Sequence, residues 1–150
     1  MKTILLICSL LFAPAVLADD EEMLEKFQDY LDFSPYAIAT ISVDQLASLE
    51  GENLVYIDTR NQQQFDLGHI PGAKHIEWRE VLNRRDEIPK DKPVIMYCET
   101  GLLSSKAQFI LRMAGYENIK VLWGGYLVWA SKQSFVDAAI HSTPERKKQK

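Results

Sequence analysis

With 150 residues, 47% of them hydrophobic and 25% charged, the chain has the make-up of an ordinary globular protein and the length for one domain with a sizeable core. A net charge of −4 gives no basis for nucleic-acid binding. The basic cluster from Arg146 to Lys150 follows Pro144 and reads as a solvated tail, residues 142–150.

The first 18 residues read as an export signal. Lys2 supplies a positive start, Ile4 to Leu17 is an apolar stretch broken by Pro14, and Val16-Leu17-Ala18 places small side chains before a cleavage point. The stretch is shorter than the roughly 20 residues that span a bilayer, so no stable membrane insertion is expected after cleavage. The mature chain then starts at Asp19 in a periplasmic or secreted setting. Cys8 leaves with the signal, and Cys98 remains without an intramolecular partner in an oxidising compartment. One Cys and three separated His make a structural zinc site unexpected.

Asp19 to Phe33 is predicted to be helical, part of an N-terminal extension over residues 19–35. Met23, Leu24, Phe27, Tyr30 and Leu31 share one face, acidic residues crowd the first turn, and Ser34-Pro35 ends it. From residue 36 to 141 strands and helices alternate. Ile38 to Ile41 reads as a strand. Ser42 caps a helix running to about Leu49 that Gly51 closes, and Leu54 to Ile57 is a buried strand. Asn61 caps a short helix ending at Gly68, Ala73 to Ile76 is a strand, and a helix is expected near Arg79 to Arg84. Pro93 to Tyr97 is a strand, Ser104 to Ala114 a helix with Gly115 at its end, Lys120 to Leu122 the last strand. Gly124-Gly125 then turns into helix from about Tyr126 through Ile140. Such alternation predicts an α/β fold with a parallel sheet covered on both faces, in which ligands bind at the C-terminal strand ends.

Cys98 stands at such an end, before the loop Cys98-Glu-Thr-Gly-Leu-Leu103 and a helix starting near Ser104. Gly101 permits a tight turn that gathers amide N–H groups, and the helix N-terminus adds partial positive charge. This arrangement favours a thiolate over a thiol, whose free pKa is about 8.5. Glu99 opposes it if turned inward and is expected to face solvent. A cysteine ending a buried strand also serves as a small packed hydrophobe, so spacing alone leaves both readings open.

Three stretches carry a resemblance to the rhodanese domains, single-domain sulfurtransferases. They are Asp58-Thr-Arg60 with Phe65, Gly68-His-Ile-Pro-Gly-Ala73 and Ile76; Val94 to Cys98 with Gly101 and Ser104; and Val121 to Trp129 with Gly124-Gly125. The resemblance implies a five-stranded parallel sheet flanked by helices, with the N-terminal helix as an addition. It also implies a sulfane sulfur moved from thiosulfate, mercaptopyruvate or a thiol persulfide to a thiol or cyanide through a Cys98 persulfide, without metal or cofactor. The backbone amides of Glu99, Thr100, Gly101, Leu102, Leu103 and Ser104 would then bind the substrate, with Arg60 as a further candidate and a protein thiol as a possible partner.

Two positions depart from the family pattern. No basic residue stands between Cys98 and Ser105, where thiosulfate users carry one, so a cation would have to come from elsewhere, such as Arg60 or Arg79. Gln64 replaces the Glu that often accompanies the motif Arg. Asp58, His69 and the glycine pair read as structural, Trp123 and Trp129 as core, and His75 and His141 have no companions. A phosphatase on the same fold needs Arg six residues after the cysteine, where this chain has Ser104. The remaining alternative is a non-catalytic sulfur-sensing or protein-binding module.

Overall fold

The computed structural model describes residues 15–33, 40–49 and 53–142, with side chains over 20–33, 40–49 and 53–133. It divides into two compact units, Met1–Ser34 and Pro35–Lys150. The first contains α1, Ala15–Phe33, which begins before Asp19, so its first turn holds no acidic residue and the acidic run lies further in. A Glu22–Lys26 ion pair at 2.8 Å staples successive turns of α1. Met23, Leu24 and Leu31 are exposed, while Phe27 and Tyr30 are half-buried. Among the described residues no helix is long and apolar enough to cross a membrane.

The second unit is built on five parallel strands: β1 (Thr40–Ile41), β2 (Val55–Asp58), β3 (Lys74–His75), β4 (Val94–Tyr97) and β5 (Ile119–Leu122). Their order is β1-β5-β4-β2-β3. The central strand β4 is buried on both faces, as its unbroken apolar run requires. Side chains of a strand alternate between faces, and the core divides accordingly. Val94 and Met96 join Ile57, Ile119, Ala107 and Leu111 on one face, whereas Ile95 and Tyr97 join Ile41, Leu46, Ile70 and Leu122 on the other.

The helices follow their local signals. Ser42 and Gln45 form a reciprocal capping box at the start of α2 (Val43–Ala47), and Asn61 caps α3 (Gln62–Leu67). α4 (Leu102–Met113) starts two residues earlier than Ser104 because Gly101 ends the loop and takes the N-cap. Its end is closed by Gly115 N–H donating to the Arg112 carbonyl and Tyr116 N–H to that of Leu111. α5 (Gly125–Ser142) follows β5.

The helix expected near Arg79 to Arg84 is replaced by consecutive turns leading into a 3₁₀ segment, Arg85–Glu87. Arg84 bonds its side chain to Glu80 and Glu87, which stabilises these local turns without a continuing i→i−4 ladder. Gly51 and residues 38 and 39 lie outside the described residues.

Candidate active site

β4 delivers Cys98 to the C-terminal edge of the sheet, between β2 and β5. The thiol is 2% exposed and free. The backbone N–H of Gly101 points at Sγ from 3.2 Å, and the hydroxyl of the fully buried Ser104 lies 3.6 Å from it. Burial raises the thiol pKa, but the Ser104 N–H and hydroxyl and the N–H groups of Thr100 and Leu103 outweigh it, and the value falls below that of an ordinary cysteine. The cradle therefore favours a sulfur anion through backbone and hydroxyl donors. The Ser104 hydroxyl also donates to the Gly101 carbonyl at 3.0 Å, so its single proton is shared between loop and sulfur.

The loop is oriented from behind by α5. Tyr126 N–H donates to the Cys98 carbonyl at 2.8 Å and Leu127 N–H to the Glu99 carbonyl at 3.1 Å. With these two carbonyls turned toward the helix, the amides that follow are free to converge on sulfur. Gly125, at φ +61°, makes the contact possible, since a Cβ there would stand 2.4 Å from the Cys98 carbonyl oxygen and 2.6 Å from that of Glu99.

Arg60 is almost fully buried and does not reach the cradle as an open cation. Its Nε and Nη2 grip the Asp58 carboxylate at 2.6 to 3.1 Å, Nη2 also meets the Gly68 carbonyl at 2.6 Å, and Nη1 meets Glu99 at 3.2 Å. Its guanidinium lies 4.0 Å over the Tyr126 ring. Burial works against its charge, and the Asp58 and Glu99 carboxylates restore it. Arg60 thus ties β2, the Gly68 turn, the Cys98 loop and α5 into one network.

Glu99 turns toward this network instead of lying free in solvent. Its Oε2 accepts from Arg60 and, at 3.4 Å, from Gln64 Nε2, while the side chain stays 37% exposed. The carboxylate absent at position 64 is thereby supplied from the loop, and Gln64 supports it as a donor. Tyr97, below Cys98, accepts from Ile70 N–H through its hydroxyl, and burial with Asp58 nearby pushes its phenol well above the ordinary range.

Several residues fall elsewhere than expected or were not singled out. Leu102 and Trp123 are exposed and, with Thr40, Thr100, Ser105 and Val121, line a cavity of about 330 Å³ beside the loop. Trp123 is therefore not core, because Leu122 takes the inward position at the end of β5; Trp129 is half-buried against the core. Leu127 adds a third exposed apolar side chain in the first turn of α5. His69 stacks on Phe65 at 3.9 Å and bonds its backbone carbonyl, His75 bonds the Arg60 carbonyl, and Arg79 pairs with Glu77, so none of them faces the thiol. The role of Tyr126 as a platform for Arg60 carried no local sequence signal.

The sequence and the fold are similar to those of known proteins. The rhodanese-like domain family model matches residues 42–132. An uncharacterized Bacillus subtilis protein, YqhL, is 40% identical over 76 residues, 51% of this chain and 60% of its own length. The thiosulfate sulfurtransferase GlpE of Pseudomonas entomophila is 32% identical over 91 residues, covering 61% of this chain and 84% of that protein. The chain thus matches less than two thirds of its Bacillus relative's length. In fold it is similar to the crystal structure of a rhodanese-related protein from Thermoplasma volcanium, with TM-score 0.58 at 22% identity, covering 62% of this chain and 91% of that one. By sequence and by architecture, the chain belongs to the rhodanese-like domain family.

Proposed function

We propose that the protein is an exported sulfurtransferase working through a persulfide on Cys98. The observation that carries this reading is the convergence of the Gly101 N–H and the Ser104 hydroxyl on a buried sulfur whose pKa is lowered. In the first half-reaction the Cys98 thiolate attacks the outer sulfur of a donor R–S–SH. The donor S–S bond breaks, R–S⁻ leaves, and Cys98–S–SH remains. In the second, an acceptor thiolate takes the outer sulfur and Cys98 departs as thiolate, so sulfur, protons and charge balance with no external oxidant. The amides of Thr100, Gly101, Leu103 and Ser104 stabilise the anion at each stage, as oxyanion-type donors do. The relative named a thiosulfate sulfurtransferase supports the reaction class. The leader-like first 18 residues support action in the periplasm on small thiols, cyanide or an exposed protein thiol.

Intact-mass measurement tests the proposal. After incubation with thiosulfate, mercaptopyruvate or glutathione persulfide, the protein gains one sulfur atom, and the Cys98→Ser variant gains none. Absence of a gain with every donor would leave a non-catalytic binding module as the reading.

A further inference from the structure

Charge around the loop is distributed in a way that bears on the donor, and this rests on the sulfurtransferase reading of Cys98. Arg60, the cation bonded directly to the loop, has every edge engaged: Asp58 holds Nε and Nη2, the Gly68 carbonyl holds Nη2, Glu99 holds Nη1, and the Tyr126 ring covers its face. Asp58, Arg60 and Glu99 together carry one negative charge, and the carboxylate nearest Cys98 in the chain remains partly exposed. Among the described residues the cavity beside the loop has no charged side chain in its wall, and Leu102 and Trp123 stand exposed in it.

We infer that Glu99 is a specificity-determining residue: Asp58 already neutralises the buried Arg60, so the Glu99 carboxylate leaves a net negative charge beside the loop and thereby selects carbon-bound persulfides over thiosulfate as the sulfur donor. Attack on thiosulfate brings a thiolate against a dianion, and sulfite leaves with both of that dianion's charges. Stabilising this step calls for a cation at the mouth, whereas Arg60 is buried on Asp58 and Glu99 adds a charge of the wrong sign. A persulfide of an organic thiol carries carbon on its inner sulfur, where thiosulfate carries its charged oxygens. Its leaving group carries a single charge that the loop amides hold.

The decisive measurement is the second-order rate of Cys98 persulfidation, followed by mass, with thiosulfate and with cysteine persulfide as donors. In the wild type cysteine persulfide reacts faster, and the thiosulfate rate rises with added salt as like-charge repulsion is screened. In Glu99→Gln, which keeps an oxygen for Arg60 and removes the charge, the ratio of thiosulfate to cysteine persulfide rates rises about tenfold. Glu99→Asp retains the charge and keeps the wild-type preference for cysteine persulfide. A wild-type thiosulfate rate equal to that of the persulfide, or falling with salt, overturns the inference. So does a ratio unchanged in Glu99→Gln. Failure of the wild type to take sulfur from either donor would instead defeat the sulfurtransferase reading itself, so the two failures are distinct.

Discussion

At the scale of single residues, the balance at Cys98 sets a measurable pH dependence. Only the thiolate attacks, so the rate of persulfidation or of alkylation by iodoacetamide follows the thiolate fraction. Because the loop donors outweigh burial, the half-maximal rate lies at a lower pH than for an ordinary cysteine. It falls as pH drops through the folded-state pKa and is flat above it. The same lowering stabilises the fold above the ordinary thiol pKa, and this contribution is lost as pH falls through the folded one. Ser104→Ala removes one donor to sulfur without opening the surface, since Ser104 is fully buried. Its profile midpoint moves up, the rate at pH 7 drops roughly three- to tenfold, and the rate at pH 10 stays close to wild type. An unmoved midpoint would assign the hydroxyl to the Gly101 carbonyl alone. Arg60 presents the opposite case, a buried charge whose partner is also buried. Arg60→Met strands the Asp58 carboxylate, 0% exposed, and is expected to cost about 3–5 kcal/mol in urea denaturation.

At the scale of elements, the site is the meeting of two helix N-termini with one strand end, and glycines govern how closely they meet. Gly125→Ala forces a methyl group into the Cys98 and Glu99 carbonyls, so the loop has to move and its amides lose their aim on sulfur. Persulfidation is expected to fall by at least 100-fold, with a stability loss of about 1–3 kcal/mol. Gly115→Ala provides the comparison. Its φ of +83° is equally unsuited to a side chain, but the nearest neighbour to a Cβ there is the Lys90 ammonium at 4.0 Å, at the far end of α4. Stability should fall by about 1 kcal/mol with the persulfidation rate kept. Equal rate losses in the two variants would show that general destabilisation, not displacement of the loop, is responsible. The elements themselves were legible where a local signal is sufficient, as with the Ser42 and Asn61 caps, the Gly115 stop and the apolar run of β4. The segment from Trp78 to Ile88 was not, because Arg84 can satisfy Glu80 and Glu87 from a turn as readily as from a helix. The direction of the Glu99 side chain was not legible for a related reason: it is set by Arg60, 39 positions away in sequence.

At the scale of the whole domain, the sheet separates two cores. Alternation along β4 sends Val94 and Met96 to one and Ile95 and Tyr97 to the other, and this division follows from the strand period alone. Which helices cover which face is a property of the β1-β5-β4-β2-β3 order, which local pattern does not specify. Leu111 of α4 is fully buried in the first core and Leu46 of α2, 5% exposed, lies in the second. Truncating either to alanine leaves a cavity on one side of the sheet, at a cost of about 2–5 kcal/mol, with Leu46 toward the lower bound because α2 is short. The two side chains belong to separate clusters and share no packing partner within them, so their effects should add to within about 0.5 kcal/mol in a double-mutant cycle. A larger coupling would mean that the strands transmit strain from one face to the other. In that case the Cys98 loop, suspended from β4 between the two cores, should respond to both truncations with altered persulfidation rates. With the costs additive, the loop is insulated, and both variants should retain near wild-type rates under conditions where they remain folded.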